Sequence, residues 1–65
     1  MRRFFVSSRD PNARSLVLEG GEALHAARVL RVQPGEMLLA LNGAGDQFTC
    51  RVVSVRKSSV ELEVV

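Results

Sequence analysis

His25, Arg28 and Arg31 are spaced i, i+3, i+6 along a stretch whose apolar residues recur with helical periodicity. Side chains three apart are neighbours on a helix surface, so the two guanidinium groups can grip adjacent phosphates of one nucleic-acid strand. Arginine suits that task, because its planar fork matches phosphate better than an ammonium does. Contacts of this kind position an RNA without reading its sequence. Arg2 and Arg3, at the start of the chain, would extend the same patch. The competing arrangement is an ordinary solvated helix face, with Glu22 pairing to His25 or Arg28.

Other chemistries find little support. A single imidazole without further ligands does not make a metal site, and His25 is the only histidine. Cys50 falls on the inward phase of an alternating run, away from the electropositive surroundings that activate a thiol. Gly43 and Gly45 form a Gly-x-Gly, yet no helix and no Lys-Ser/Thr follows them, so neither phosphate-loop context is met. Paired carboxylates, a nucleophile with its base and a glycine-lined cofactor pocket are all missing from the pattern. Aromatic stacking of bases, common in RNA modules, has few candidates: the chain has no Tyr or Trp, and Phe4, Phe5 and Phe48 lie in strands. Of these, Phe5 is opposite in phase to Phe4 and is the one candidate for an exposed ring.

The elements that must hold these side chains follow from spacing. Arg2 to Val6 reads as a first strand with Phe4 and Val6 on one face. Ser7 to Arg14 is a polar loop around Asp10-Pro11-Asn12. Leu16-Val17-Leu18 forms a second strand, broken by Gly20-Gly21. From Glu22 to Arg31, Ala23, Ala26, Ala27 and Leu30 mark the buried face of a helix. Glu22 in its first turn and Arg31 in its last both suit the helix dipole. Pro34-Gly35 fits the middle of a type II turn, with positive φ at the glycine. Met37 to Leu41 is apolar on both faces, as in a central strand, and Asn42-Gly43 signals a hairpin within the Asn42 to Asp46 loop. Phe48, Cys50 and Val52 alternate with polar residues, and the phase slips at Val52-Val53, which predicts a bulge. After a turn at Arg56 to Ser59, Val60, Leu62 and Val64 alternate with Glu61 and Glu63. The reading is mainly β with one helix: a small five-stranded barrel.

Composition sets the limits. The chain has 65 residues, room for one domain, with 46% hydrophobic residues and a net charge of +2. Its nine basic residues include a single lysine, Lys57. A domain this short buries only about 60% of its unfolded surface, which implies a total stability of roughly 3–10 kcal/mol. One cysteine offers no disulfide and fits a reducing, cytoplasmic setting. No basic stretch followed by an apolar run opens the chain, so a signal peptide is not expected, and no apolar run approaches the ~20 residues of a membrane helix. The end on Val64-Val65, in mid-strand, leads us to expect a domain truncated from a larger protein.

The strand Met1-Arg2-Arg3-Phe4-Phe5-Val6, the helix bearing His25-x-x-Arg28-Val29-Leu30-Arg31, the Pro34-Gly35 turn and the Asn42-Gly43 hairpin occur in a set order. That order resembles the start of the RsmE family of 16S ribosomal RNA (uracil-N3) methyltransferases. The resemblance implies that residues 1–65 are a single PUA-like β-barrel binding RNA through Arg2, Arg3, His25, Arg28 and Arg31. It implies that the fragment holds no cofactor, while a following knotted SPOUT domain, absent here, binds S-adenosylmethionine and transfers the methyl group. The implied partner is 16S ribosomal RNA or the small ribosomal subunit, without any membrane, and the parent would dimerise through the absent domain. Ala26-Ala27 stands where many relatives carry a second His or a bulky residue. The alternatives on the residues alone are a stand-alone structural or ribosomal RNA-binding barrel and an SH3-like protein-interaction barrel.

Overall fold

The computed structural model describes residues 2–65. Alternation builds its sheet from β1 (Arg3–Phe5), β2 (Ser15–Glu19), β3 (Met37–Leu41), β4 (Gln47–Val55) and β5 (Ser59–Val64). Their order across the sheet is β1-β3-β4-β5-β2. Only the β1–β3 pair is parallel, with Arg3 opposite Leu39 and Phe5 opposite Leu41; the remaining pairs are antiparallel. The sheet curls into a half-barrel. Its concave side packs Phe4, Leu18, Leu38, Val52, Val60 and Leu62 into one core, all essentially inaccessible to water. Phe4 and Val6 share the buried face and Phe5 is exposed, as their phases predict.

The single helix, α1, follows β2 directly. Gly20 makes the switch with φ +59, a left-handed conformation that glycine adopts without a Cβ clash. Gly20–Leu24 is regular α-helix, and His25–Val29 continues it as a wider π-helical turn. The Leu30 N–H bonds back to the His25 carbonyl and the Val32 N–H to the Ala26 carbonyl, both at 3.0 Å. Between them Arg31 takes φ +52, the left-handed conformation in which helices often end.

This corrects the expected helix over 22–31. It begins and ends two residues earlier, so Arg28 is the basic residue of its last turn and Arg31 lies beyond it. Ala23 and Ala26 are fully buried as expected, whereas Ala27 and Leu30 are only partly so. The wider turn rotates the later residues away from an ideal α-helical face, and Val32 fills the core position instead.

The turn after the helix behaves as the sequence predicts. The Glu36 N–H bonds the Gln33 carbonyl at 3.0 Å, and Gly35 has φ +95, which completes a type II geometry. Two backbone bonds of 2.8 Å, from Gly35 N–H to Val52 and from Val52 N–H to Glu36, fasten this turn to β4. Beside that attachment the β4–β5 register skips Val53, at the expected bulge.

Two further expectations change. The hairpin after β3 forms, but its five-residue loop is organised by a side chain. Asn42 is buried, and its Oδ1 accepts the N–H groups of Ala44 and Asp46 at 3.0 and 2.9 Å. Its Nδ2 donates to Asp46 Oδ2 at 3.0 Å. The positive φ falls on Gly45, not on Asn42 and Gly43 as a two-residue turn would require. β3 is an interior strand, yet only Leu38 and Ala40 are buried, and Met37 is exposed, because no second layer covers the sheet's outer face.

Candidate nucleic-acid interface

The helix end and the turn that follows it enclose an open cleft of about 440 Å³. Ala27, Arg28, Arg31, Val32, Pro34 and Val55 line it, together with Gln33. Each lining residue is placed by a feature already described. The helix supplies Ala27 and Arg28, the left-handed cap turns Arg31 to the same hollow, the type II turn presents Pro34, and Val55 closes β4. Arg28 and Arg31 are both exposed, and neither forms an ion pair among the described residues.

The acid that could have neutralised them is engaged elsewhere. Glu22 Oε2 accepts the backbone N–H of Phe5 at 2.8 Å. It ties the helix start to β1 and pairs with neither His25 nor Arg28. The paired, solvated helix face is thereby replaced by two unneutralised guanidinium groups on one cleft.

The remaining candidates are distributed differently. Arg2 is exposed but bonded, its Nη1 lying 3.3 Å from Glu36 Oε2. Glu36 belongs to the turn whose Gln33 and Pro34 wall the cleft, so Arg2 reaches the other end of that turn with its charge partly offset. Arg3 projects from the exposed face of β1 and forms no ion pair among the described residues. His25 is exposed, with its ring edge-on to Phe4 at 6.5 Å between centroids. Neither Arg3 nor His25 lines the cleft. Phe5, on β1, is 66% exposed.

Sequence reasoning missed Val32, Gln33, Pro34 and Val55 as cleft walls. Pro34 had a signal, the Pro-Gly turn, but it was legible only as a turn. Val55 had none, because its place depends on how β4 runs across the sheet.

Cys50 is fully buried, and desolvation pushes its thiol above the ordinary value. It is a core residue with its Sγ against the Phe48 carbonyl at 3.8 Å. Among the described residues no three His, Cys, Asp or Glu side chains gather as a metal site, and no helix is long and apolar enough to cross a membrane.

Comparison with known proteins places this geometry. A family described as the RNA methyltransferase PUA domain matches residues 18–65, which include the helix, the cleft and strands β3 to β5. Among solved structures, ribosomal RNA small subunit methyltransferase E from Neisseria gonorrhoeae, bound to S-adenosyl methionine, superposes with a TM-score of 0.80 at 28% identity. The match covers 98% of this chain and 26% of that one. A Legionella pneumophila protein assigned as a methyltransferase, in complex with the bound cofactor, gives 0.83 at 27% identity over 97% of this chain and 26% of its own. A Thermotoga maritima protein assigned as an RNA methyltransferase gives 0.81 at 25% identity, covering 100% and 29% respectively. The chain thus spans less than a third of the length of each of these structures. No curated protein matches it significantly.

Proposed function

Because this chain belongs to the RNA methyltransferase PUA domain family, we propose that it is the RNA-holding domain of a methyltransferase acting on N3 of a uridine in 16S ribosomal RNA. The observation that carries the reading is the convergence of Arg28 and Arg31, both without an acidic partner, on one cleft. Arg3 and the partly offset Arg2 supply further cations, and His25 adds a polar edge on the same helix. The solved neighbour that is a small subunit ribosomal RNA methyltransferase supports the choice of RNA.

S-adenosylmethionine belongs elsewhere in such an enzyme. The cleft here is open to water and walled by two guanidinium groups, which does not suit a ligand whose sulfonium and amino groups are both cationic. A SPOUT domain beyond this segment would bind the cofactor, perform the transfer and form the homodimer, in the cytoplasm and on the small ribosomal subunit. A protein-interaction barrel of the SH3-like kind needs an aromatic groove, and among the described residues no aromatic side chain lines this cleft.

RNA binding across a salt series tests the proposal. Arg2, Arg3, Arg28 and Arg31, taken as four phosphate contacts, give a fall in log K of about 3 per decade of salt. Affinity then drops about 60-fold between ~50 and ~200 mM. Replacing Arg28 and Arg31 together by Ala should weaken binding and lower that slope by ~1.5 to 2. A double mutant with unchanged affinity and slope would move the RNA surface off this helix.

A further inference from the structure

We propose that the cleft at the helix end seats one unpaired RNA nucleotide, with a further cation for its strand supplied by the β4–β5 turn beyond Val55; this rests on the RNA-binding reading above. A grip on phosphates alone needs only exposed cations. Here the cations border a hollow whose other walls are the exposed Pro34 and the half-buried Ala27 and Val55, lined also by the buried Val32, an apolar surface with no use for phosphate. Its volume of about 440 Å³ lies within the ~300–1,000 Å³ of small-ligand sites. A duplex keeps its bases stacked and offers such a hollow only backbone. An unpaired nucleotide offers a base for the apolar walls, a face on which a guanidinium can stack, and a phosphate for the second arginine. Gln33 adds an amide that both donates and accepts hydrogen bonds, as a base edge requires.

Val55 lines the cleft and leads straight into Arg56, Lys57 and Ser58, which are all exposed and lie outside the cleft lining. Arg56 is 3.8 Å from Glu61, whereas Lys57 forms no ion pair among the described residues. Lys57 is therefore the available cation on that side, and it belongs to a strand turn remote in sequence from the helix.

Arg31 stands in the left-handed conformation in which helices often end. Its φ of +52 is a conformation that glycine adopts far more readily than an L side chain. The chain nevertheless has an arginine there, with its side chain on the cleft.

The test compares an oligouridylate with an abasic ribose-phosphate oligomer of equal length and with a duplex, each by fluorescence anisotropy at fixed salt. The oligouridylate should bind at least about fivefold tighter than the abasic strand, the lower end of what a stacked base contributes, and tighter than the duplex. Lys57→Ala should lower the salt slope by ~0.7, one single-strand phosphate contact. Arg31→Gly should raise the melting temperature while weakening oligouridylate binding. Equal affinity for abasic and uridine strands, or a duplex bound as tightly as the single strand, would overturn the nucleotide seat and leave the RNA-binding reading standing. No binding to any of the three would overturn that reading itself. An unchanged slope in Lys57→Ala would remove the β4–β5 turn from the RNA surface.

Discussion

Glu22 and Arg28 lie on the same helix and have opposite fates. At the helix start the turns are regular, Ala23 is fully buried, and Glu22 is bonded to the backbone of β1. At the helix end the turns widen, Leu30 is only partly buried, and Arg28 and Arg31 face a cleft without acidic partners. One end joins the sheet together and the other opens outward. A short helix can therefore fasten the sheet with one end and leave the charges of the other unpaired, and each end should respond to substitution in its own way.

The core beneath the helix start should show the largest effect. Leu18 lies on β2, against which the helix start packs, and is fully buried. Leu18→Ala should cost about 2–5 kcal/mol, enough to unfold much of a domain with a total of roughly 3–10 kcal/mol. Leu30→Ala, at the other end, should cost only about 1 kcal/mol because its side chain is partly in water already. Urea melts of the two variants check the contrast, and equal losses would erase it. Glu22→Ala comes next, with a loss of about 1 kcal/mol from the missing bond to Phe5 and RNA affinity no lower than in the parent. A fall in affinity would mean that the helix start also belongs to the RNA surface.

Arg31→Gly should act in the opposite sense. Relief of the left-handed strain, worth about 1–2 kcal/mol, outweighs the entropy cost of glycine, about 0.5–1 kcal/mol. The net gain should appear as a melting point a few degrees higher by calorimetry; a lower one would show that the side chain supports the fold. The smallest effect concerns Cys50, which belongs to neither end. Burial raises its thiol in the folded state, so its contribution is fully present below the ordinary thiol pKa. Stability should then fall as pH climbs past about 8.5, where the unfolded thiol ionises first. Cys50→Ala should flatten that alkaline limb, measured by urea melts from neutral to alkaline pH.

The sheet was legible in the sequence wherever one face meets water and the other does not. Alternation at Phe48-Cys50-Val52 and Val60-Leu62 located β4 and β5, and the slip at Val52-Val53 located the bulge. Pro34-Gly35 was legible because positive φ after proline leaves few choices of residue. The helix end was not, since periodicity assumes a uniform turn and the widened turn after Leu24 breaks that assumption. Asn42-Gly43 misled in a related way: a dipeptide suggests a turn type, but Asn42 acts through a buried side chain reaching Asp46. Arg28 and Arg31 were visible as a pair, whereas the wall they face is assembled from a turn and from the far end of β4, which only the strand order brings together.

The bond from Glu22 to the Phe5 N–H also bears on how the molecule avoids its own copies. β1 lies at the border of the sheet, and Val6 and Leu39 show its ladder facing β3 through Arg2 and Val6. The Phe5 N–H therefore points to the open border, beside a ring that is 66% exposed. An unpaired border with an apolar side chain is a template for adding a strand from another chain. A carboxylate on that donor occupies the hydrogen bond such a strand would need and sets a negative charge in its path. The same contact that docks the helix also guards the border against edge-to-edge aggregation.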